Sequence, residues 1–193
     1  MRFVLASHNQ KKCAELAAIL ADCGIEIVLL PENAPEPEET GTTFAENARI
    51  KARTAFAYTG LPAIADDSGL VVDALQGQPG VYSARYCAGT DADRNAFLLQ
   101  NMEQEENRTA RFVCAICCIL PNEQELSVEG SCEGLILREL QGTEGFGYDP
   151  LFYVPEFDAT FAQLPAGVKN TISHRARALQ HLQVALQNYV ETL

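Results

Sequence analysis

The first thirty residues place the strongest constraint on what this chain can fold into. Residues 2 to 6 (RFVLA) form a short apolar run. From Lys11 to Cys23 the apolar residues Leu16, Ile19, Leu20 and Cys23 recur at helical spacing, with Gly24 as a stop, and residues 25 to 30 (IEIVLL) form a second apolar run. A strand, a polar turn, a helix and a strand in succession point to an α/β fold, because the helix must bury its apolar stripe against the sheet the strands build. After the Pro- and Glu-rich loop PENAPEPEETG, Thr43 and Glu46 stand at capping-box spacing and open a helix through about Tyr58, closed by Gly60.

The rest of the chain extends the same pattern. LPAIADDSGLVVDAL holds two apolar runs broken by Asp66, Asp67, Ser68 and Gly69, the form of a strand, a tight polar turn and another strand. Asp91 is placed to cap a helix from Ala92 to about Met102. RFVCAICCIL (residues 111–120) reads as a buried strand, and residues 125–137 as a second one after the Pro121-Asn122 turn, an antiparallel pair that makes the sheet mixed. A glycine-rich loop spans Gly142 to Pro150. Ser173 is placed to cap the last helix, whose stripe is Ala178, Leu179, Leu182, Ala185, Leu186 and Tyr189. There is no repeat and no long linker, so residues 1–193 are expected to form one domain.

Charge then narrows the function. The 26 acidic residues outnumber the 14 Lys and Arg, for a formal net charge of −12. A general nucleic-acid binder needs clustered cations that this chain mostly lacks. An acidic protein that handles an anion must gather positive charge locally, through side chains, helix N-termini or a metal. The opening MRFVLASHNQKK has too short an apolar run for a signal peptide or membrane span, so a cytosolic protein with no membrane partner is expected. The seven cysteines are an odd number, several lie in apolar runs, and all are expected to be reduced. Cys114 and Cys117 have C-x-x-C spacing but sit mid-run without a second pair, which favours core packing over a metal.

Four segments could carry chemistry. Ser7-His8-Asn9-Gln10-Lys11-Lys12, between a strand and a helix, reads either as a seat for phosphate oxygens or as an ordinary capped turn; it lacks the glycines of a P-loop. Glu38, Glu39, Asp66 and Asp67 offer hard oxygen ligands next to strand ends, and one or two carboxylates plus substrate phosphates suffice for Mg2+; the alternative is an Asx-turn and a solvated loop. Gly145-Phe146-Gly147-Tyr148-Asp149-Pro150 offers rings and pliable backbone to a nucleobase, or else is a turn with its aromatics in the core. Lys169 precedes Ser173-His174-Arg175, and two basic residues opening a helix are badly placed for its dipole unless an anion is there too. Lys51 and Arg53 are either solvated cations or phosphate partners.

Together, LASHNQKKCAEL, EETGTTFAENARIKA, PAIADDSGLVVDALQGQPGVYSARY, GTEGFGYDPLF and KNTISHRARAL, in that order, resemble the inosine and xanthosine triphosphate pyrophosphatases, the Ham1-like non-canonical purine triphosphatases. The resemblance implies an elongated mixed sheet flanked by helices, two lobes with a nucleotide cleft between them, and a homodimer. It implies hydrolysis of ITP, dITP or XTP to the monophosphate and pyrophosphate. By the same resemblance Ser7 to Lys12 contact the triphosphate, with Lys12 and Lys51 as phosphate lysines, and Asp67 is general base and metal ligand. Glu38 or Glu39 supplies the second acidic position and Ser68 touches substrate. Phe146, Gly147, Tyr148, Asp149, Lys169, His174 and Arg175 surround the base and sugar. Two departures stand out: Ser7-His8 replaces the usual Thr-Gly, and Leu164 to Val168 are less acidic than expected. The competing readings are a Maf-like pyrophosphatase for pyrimidine or modified nucleotides, against which GFGYDP and SHR argue, and a non-catalytic nucleotide-binding module, in which the Asp66-Asp67 pair should be broken.

Overall fold

The structure, a computed structural model, describes residues 2–8, 14 and 26–191. Asn9, Gln10, Lys11 and Lys12, and nearly all of the helix expected from Lys11 to Cys23, lie outside the described residues. In chain order the described elements are β1 (Arg2–Leu5), β2 (Glu26–Leu29), α1 (Phe44–Thr59), β3 (Ala63–Val72), α2 (Asp91–Asn101), β4 (Thr109–Ile119) and β5 (Glu125–Ile136). They continue with β6 (Phe152–Val154), β7 (Ala159–Thr160), α3 (Ala166–Ile172) and α4 (His174–Glu191). The strands form one sheet in the order β2-β1-β3-β4-β5-β6-β7. β1 runs parallel to β2, with Phe3 opposite Ile27, and to β3, with Val4 opposite Ala63; β5, β6 and β7 pair antiparallel. The sheet is therefore mixed, as expected, and helices flank it.

Contacts gather the chain into two compact units. The first takes Met1–Asp67, Cys114–Gly130 and His174–Leu193; the second takes Ser68–Val113 and Ser131–Ser173. In the first unit strand alternation builds two separate apolar layers. Phe3, Leu5, Ile64, Cys114, Ile116 and Cys118 face one way, onto Ala178, Leu179, Leu182 and Leu186 of α4. Val4, Ala6, Ala63, Ala65, Cys117 and Ile119 face the other way, onto Ala48, Ala52 and Ala55 of α1. Alanine on that stripe lets α1 approach the sheet closely. Gly130 on β5 does the same for α4, since a Cβ there would lie 2.6 Å from the His174 carbonyl oxygen. In the second unit Phe112, Phe152 and Phe161 cluster, with ring centroids 4.7 to 5.7 Å apart, and Leu98 of α2 and Met102 just after it join their core.

Helix α1 starts and stops where the sequence indicates. Thr43 Oγ1 accepts from Glu46 N, the Glu46 carboxylate accepts from Thr43 N, and Gly60 caps the other end at φ 67°. Two expectations are corrected. Asp66 to Gly69 make no turn: β3 is one continuous ten-residue strand, and the two aspartates sit inside it as buried residues. Helix α2 is capped by Thr90 and not by Asp91, because Thr90 Oγ1 and the Asp93 carboxylate close a capping box one residue earlier. Asp91 is thereby released for another role.

The cysteines behave as core residues. Cys114 and Cys117 are both buried and, three apart on β4, enter opposite layers, so they cannot share a metal. Burial, reinforced by the nearby Glu125, pushes the Cys117 thiol up to about 11, and burial raises Cys118 still further. A thiol reagent applied to the native protein at pH 8 is therefore expected to leave Cys114, Cys117, Cys118 and Cys132 unlabelled while half-buried Cys87 reacts. Peptide mapping checks this, and labelled Cys117 or Cys118 in folded protein would contradict the packing.

Candidate active site

Strand β3 explains the acidic centre. Side chains alternate along a strand, so neighbouring Asp66 and Asp67 must point to opposite faces. Asp67 turns toward α1, on the side of Ala63 and Ala65. There its Oδ1 accepts from Lys51 Nζ at 2.9 Å and its Oδ2 from Asn47 Nδ2 at 3.3 Å. Asp66 turns toward α4, where its Oδ2 lies 3.5 Å from Arg175 Nε, both side chains being almost fully buried. The two aspartates thus serve two different sites.

Lys51 and Asn47 reach Asp67 because they occupy sheet-facing positions of α1. Phe44, Asn47, Ala48, Lys51, Ala52 and Ala55 follow the helical i, i+3, i+4 recurrence, and on that stripe Asn47 is fully buried while the Lys51 side chain retains 16% exposure. The Lys51 ammonium bridges two carboxylates, at 2.9 Å to Asp67 and 3.0 Å to Glu39 Oε1. Burial alone would lower its pKa, but Asp67, Asp66 and Glu39 outweigh that and raise it above the usual lysine value. A raised lysine stabilises the fold at all pH values below its unfolded pKa, and that stabilisation is lost only in strong alkali as pH rises through the folded pKa. The lysine therefore stays cationic at neutral pH. Asn47 Oδ1 also accepts from Gly41 N at 2.8 Å, which ties the acidic loop to the Asp67 side chain.

The loop itself distinguishes its two glutamates. Glu39 is half-buried on Lys51, whereas Glu38 is exposed. Ser7 is half-buried at the end of β1 and donates its N–H to the Leu5 carbonyl. His8 spans to the same loop: Nδ1 lies 2.9 Å from Glu36 Oε1 and Nε2 lies 3.3 Å from the Pro31 carbonyl. Both partners are acceptors, so the doubly protonated ring suits both contacts. The Glu36 hydrogen bond, then that of Pro31, raises the His8 pKa above its usual value. Ser68 follows Asp67 on β3, half-buried, and begins the second unit.

In the second unit the segment Gly145–Asp149 is a locked turn. Asp149 N donates to the Phe146 carbonyl at 3.3 Å, Phe146 N donates to Asp149 Oδ2 at 2.8 Å, and Lys169 Nζ reaches the same Oδ2 at 2.7 Å. Gly145 has φ 77°, and a Cβ there would collide with that carboxylate. Lys169 lies over the Phe146 ring, 5.0 Å from its centroid. The aromatic pair divides: Phe146 stays half-buried, while Tyr148 enters the core and donates its hydroxyl to the Ser83 carbonyl at 2.9 Å. Burial raises the Tyr148 phenol well beyond its usual pKa, so it remains a neutral donor. His174 and Arg175, at the start of α4, are both buried in the first unit.

The structure therefore brings Glu39, Lys51 and Asp67 together in one unit, and Phe146, Gly147, Tyr148, Asp149 and Lys169 together in the other. Asn47 was missed by the reading of motifs. Its signal was present all the same: an amide at a core-facing position of α1, one turn before a lysine on the same stripe. Among the described residues no three His, Cys, Asp or Glu side chains form a ready-made metal cage. Magnesium does not require one, since it keeps several waters and takes substrate oxygens alongside one or two carboxylates. Glu39 and Asp67, already sharing one cation, fit that demand.

With this arrangement in view, the comparisons with known proteins are decisive at the level of family. The profile of the Ham1 family matches residues 3–185. The dITP/XTP pyrophosphatase of Desulforamulus reducens is 53% identical over 93% of this chain and 92% of its own length. That of Listeria monocytogenes is 48% identical over 98% and 97%. Among solved structures, a HAM1 protein from Coxiella burnetii matches with a TM-score of 0.91 at 46% identity, covering 97% of this chain and 99% of that one. The Staphylococcus aureus Ham1 protein matches at 0.89 and 39% identity, covering 98% and 100%. This chain belongs to the Ham1 family. The Maf-like alternative has no support among these relatives.

Proposed function

We infer that this protein hydrolyses damaged-base purine nucleoside triphosphates (ITP, dITP and XTP) to the monophosphate and pyrophosphate, clearing them from the nucleotide pool. The observation that carries this reading is the largely buried cluster of Asn47, Lys51 and Asp67 with the half-buried Glu39, in a chain about half identical to dITP/XTP pyrophosphatases over nearly its full length.

Asp67 orients and deprotonates a water whose oxygen bonds to the α-phosphorus, while the bond from that phosphorus to the bridging oxygen breaks and pyrophosphate leaves. Asn47 holds the second Asp67 oxygen, so that the carboxylate presents a fixed edge. Lys51 balances the charge that grows on the leaving group, together with Lys12 of the segment Ser7–Lys12, where Ser7, His8, Asn9, Gln10 and Lys11 contact the phosphates. Held by Asp67 and Glu39, Mg2+ would neutralise phosphate charge and polarise the phosphoryl oxygens. Glu38, exposed at the rim of the loop, is the weaker ligand of the pair. Ser68 contacts substrate. Phe146, carried by the segment that includes Gly147, Tyr148 and Asp149, forms the wall for the base, and Lys169, His174 and Arg175 stand on the base and sugar side. A 6-oxo purine presents an acceptor where adenine presents an amino donor, so a guanidinium or backbone N–H aimed at that edge favours hypoxanthine and xanthine. The working form is a cytosolic homodimer of one-domain protomers that binds neither nucleic acid nor membrane. No described helix is long and apolar enough to cross a membrane.

Incubating the protein with Mg2+ and inosine, xanthosine, guanosine or adenosine triphosphate, and identifying products by phosphorus NMR, tests this directly. Inosine and xanthosine substrates should give monophosphate and pyrophosphate at least about tenfold faster than the others, an energy difference of about 1.4 kcal/mol in the transition state. Release of orthophosphate, or equal turnover of adenosine triphosphate, would overturn the reading.

A further inference from the structure

Correcting the cap of α2 leaves Asp91 in its first turn with a carboxylate that the helix does not need for capping. That carboxylate reaches out of the helix: Asp91 Oδ2 accepts from Gly147 N at 2.8 Å. One turn on, Asn95 donates from Nδ2 to the carbonyl of the same residue, Gly147, also at 2.8 Å. Two side chains of one helix thus hold the N–H and the C=O of a single glycine, which fixes the peptide planes on both sides of its Cα. One of those planes leads to Phe146 and the other to Tyr148.

The clamp is braced from behind. Asn95 Nδ2 also donates to the Asp91 carbonyl at 2.9 Å. Arg94 grips Asp91 Oδ1 at 2.6 Å and the Gly89 carbonyl at 2.9 Å. Both partners of Asn95 Nδ2 are carbonyl oxygens, which settles the amide orientation without ambiguity. Asn95 is 3% exposed, and its Oδ1 has no hydrogen-bond partner among the described residues. A buried acceptor left in that state is a cost to the fold that a leucine would not incur. The amide is thus poor value as packing, and its N–H groups on Gly147 are the feature that accounts for it. Gly147 itself, at φ 61°, has open space where a Cβ would stand, so the turn is not fixed by crowding there.

We propose that Asp91 and Asn95 are positioning residues for base selection: they touch no substrate, but hold Gly147 so that Phe146 and the neighbouring backbone meet the purine edge at one angle. The proposal rests on the assignment of Gly145–Asp149 as the wall for the base. A clamp of this kind affects discrimination and KM, and leaves the chemical step at Asp67 largely alone.

The test uses the full-length protein with Asp91→Ala, Asp91→Asn, Asn95→Leu and Asn95→Asp. The Asp91 side chain is about half exposed, so its replacement spares the fold even if changes at buried Asn95 do not. For Asp91→Ala and Asn95→Leu, the ratio of kcat/KM for inosine over guanosine triphosphate should fall about tenfold through KM, with kcat for the inosine substrate within about threefold of wild type, and the Gly147 amide should exchange with solvent about tenfold faster. Asp91→Asn, which keeps an acceptor, should restore most of the ratio. Asn95→Asp, which puts an oxygen against two carbonyls, should be the worst of the four. An unchanged ratio and unchanged Gly147 exchange in Asp91→Ala would overturn the proposal, as would kcat and melting temperature falling together with the ratio intact. Wild-type protein that shows no preference for inosine would sink the base-wall assignment itself, a result separate from failure of the clamp in a selective enzyme.

Discussion

Replacement of Asp67 by Asn is expected to lower kcat for inosine triphosphate by at least ~10³-fold, the range lost when a general base that also orients charge is removed. Substrate binding should weaken far less, because the phosphate lysines and the base wall remain. The geometry explains the severity. Asp67 Oδ1 accepts from the Lys51 ammonium and Oδ2 from Asn47, so an amide in its place must turn an NH2 group toward a donor on one side or the other. The change therefore removes the base and also misaligns Lys51. Asn47→Leu should show the milder form of the same defect, since it frees one Asp67 oxygen while leaving the carboxylate charge. The control is Asp66→Asn, one residue away. Because strand alternation sends that side chain to the opposite face, it should leave kcat for the remaining folded protein within roughly tenfold of wild type. Steady-state kinetics on folded fractions, with nucleotide binding measured by calorimetry, separates the two. Near-normal kcat in Asp67→Asn would remove Asp67 from the mechanism.

The contrast between Asp66 and Asp67 also marks how far the sequence could be read. Local signals were reliable where one residue type has one dominant use: Thr43 with Glu46, Gly60, and the apolar stripe of α4 all fall where periodicity and capping place them. They failed where polar residues lie inside a regular element. Asp66, Asp67 and Ser68 look like a turn because such residues usually are one, yet here they continue β3. Their charges are tolerated because Lys51, Asn47 and Arg175 arrive from helices far away in the chain. Asn95 was invisible for the same reason, and Asn47 showed only its place on the core-facing stripe of α1. Each is a neutral amide inside a helix, and its meaning comes from a partner 20 or 52 residues away that no local pattern records. The motif segments showed that a site exists and roughly where; which side chains face it depends on strand parity and on which stripe of α1 meets the sheet.

The second large effect concerns stability. Arg175→Met should destabilise the protein by about 3 kcal/mol or more, the usual penalty for breaking one side of a buried ion pair. For a chain of this length that is a fall in melting temperature of roughly 6–12 °C. The reason lies in what is left behind. Asp66 is 3% exposed, on the face of β3 that carries Ile64, and its carboxylate lies 3.5 Å from the buried guanidinium. Without the guanidinium a buried carboxylate loses the cation that offsets its desolvation. Lys51, across the strand, also feels Asp66 through space, but it is committed at closer range to Asp67 and Glu39 and cannot turn to the other face. A double variant, Asp66→Leu with Arg175→Met, removes both charges and should recover most of the loss, because well-packed apolar groups often replace a buried pair at little cost. Thermal unfolding of the two single variants and the double variant forms the cycle. If Arg175→Met melts within about 2 °C of wild type, Asp66 is already balanced from elsewhere. If the double variant is no more stable than Arg175→Met alone, the arginine serves the fold through packing and its charge is incidental.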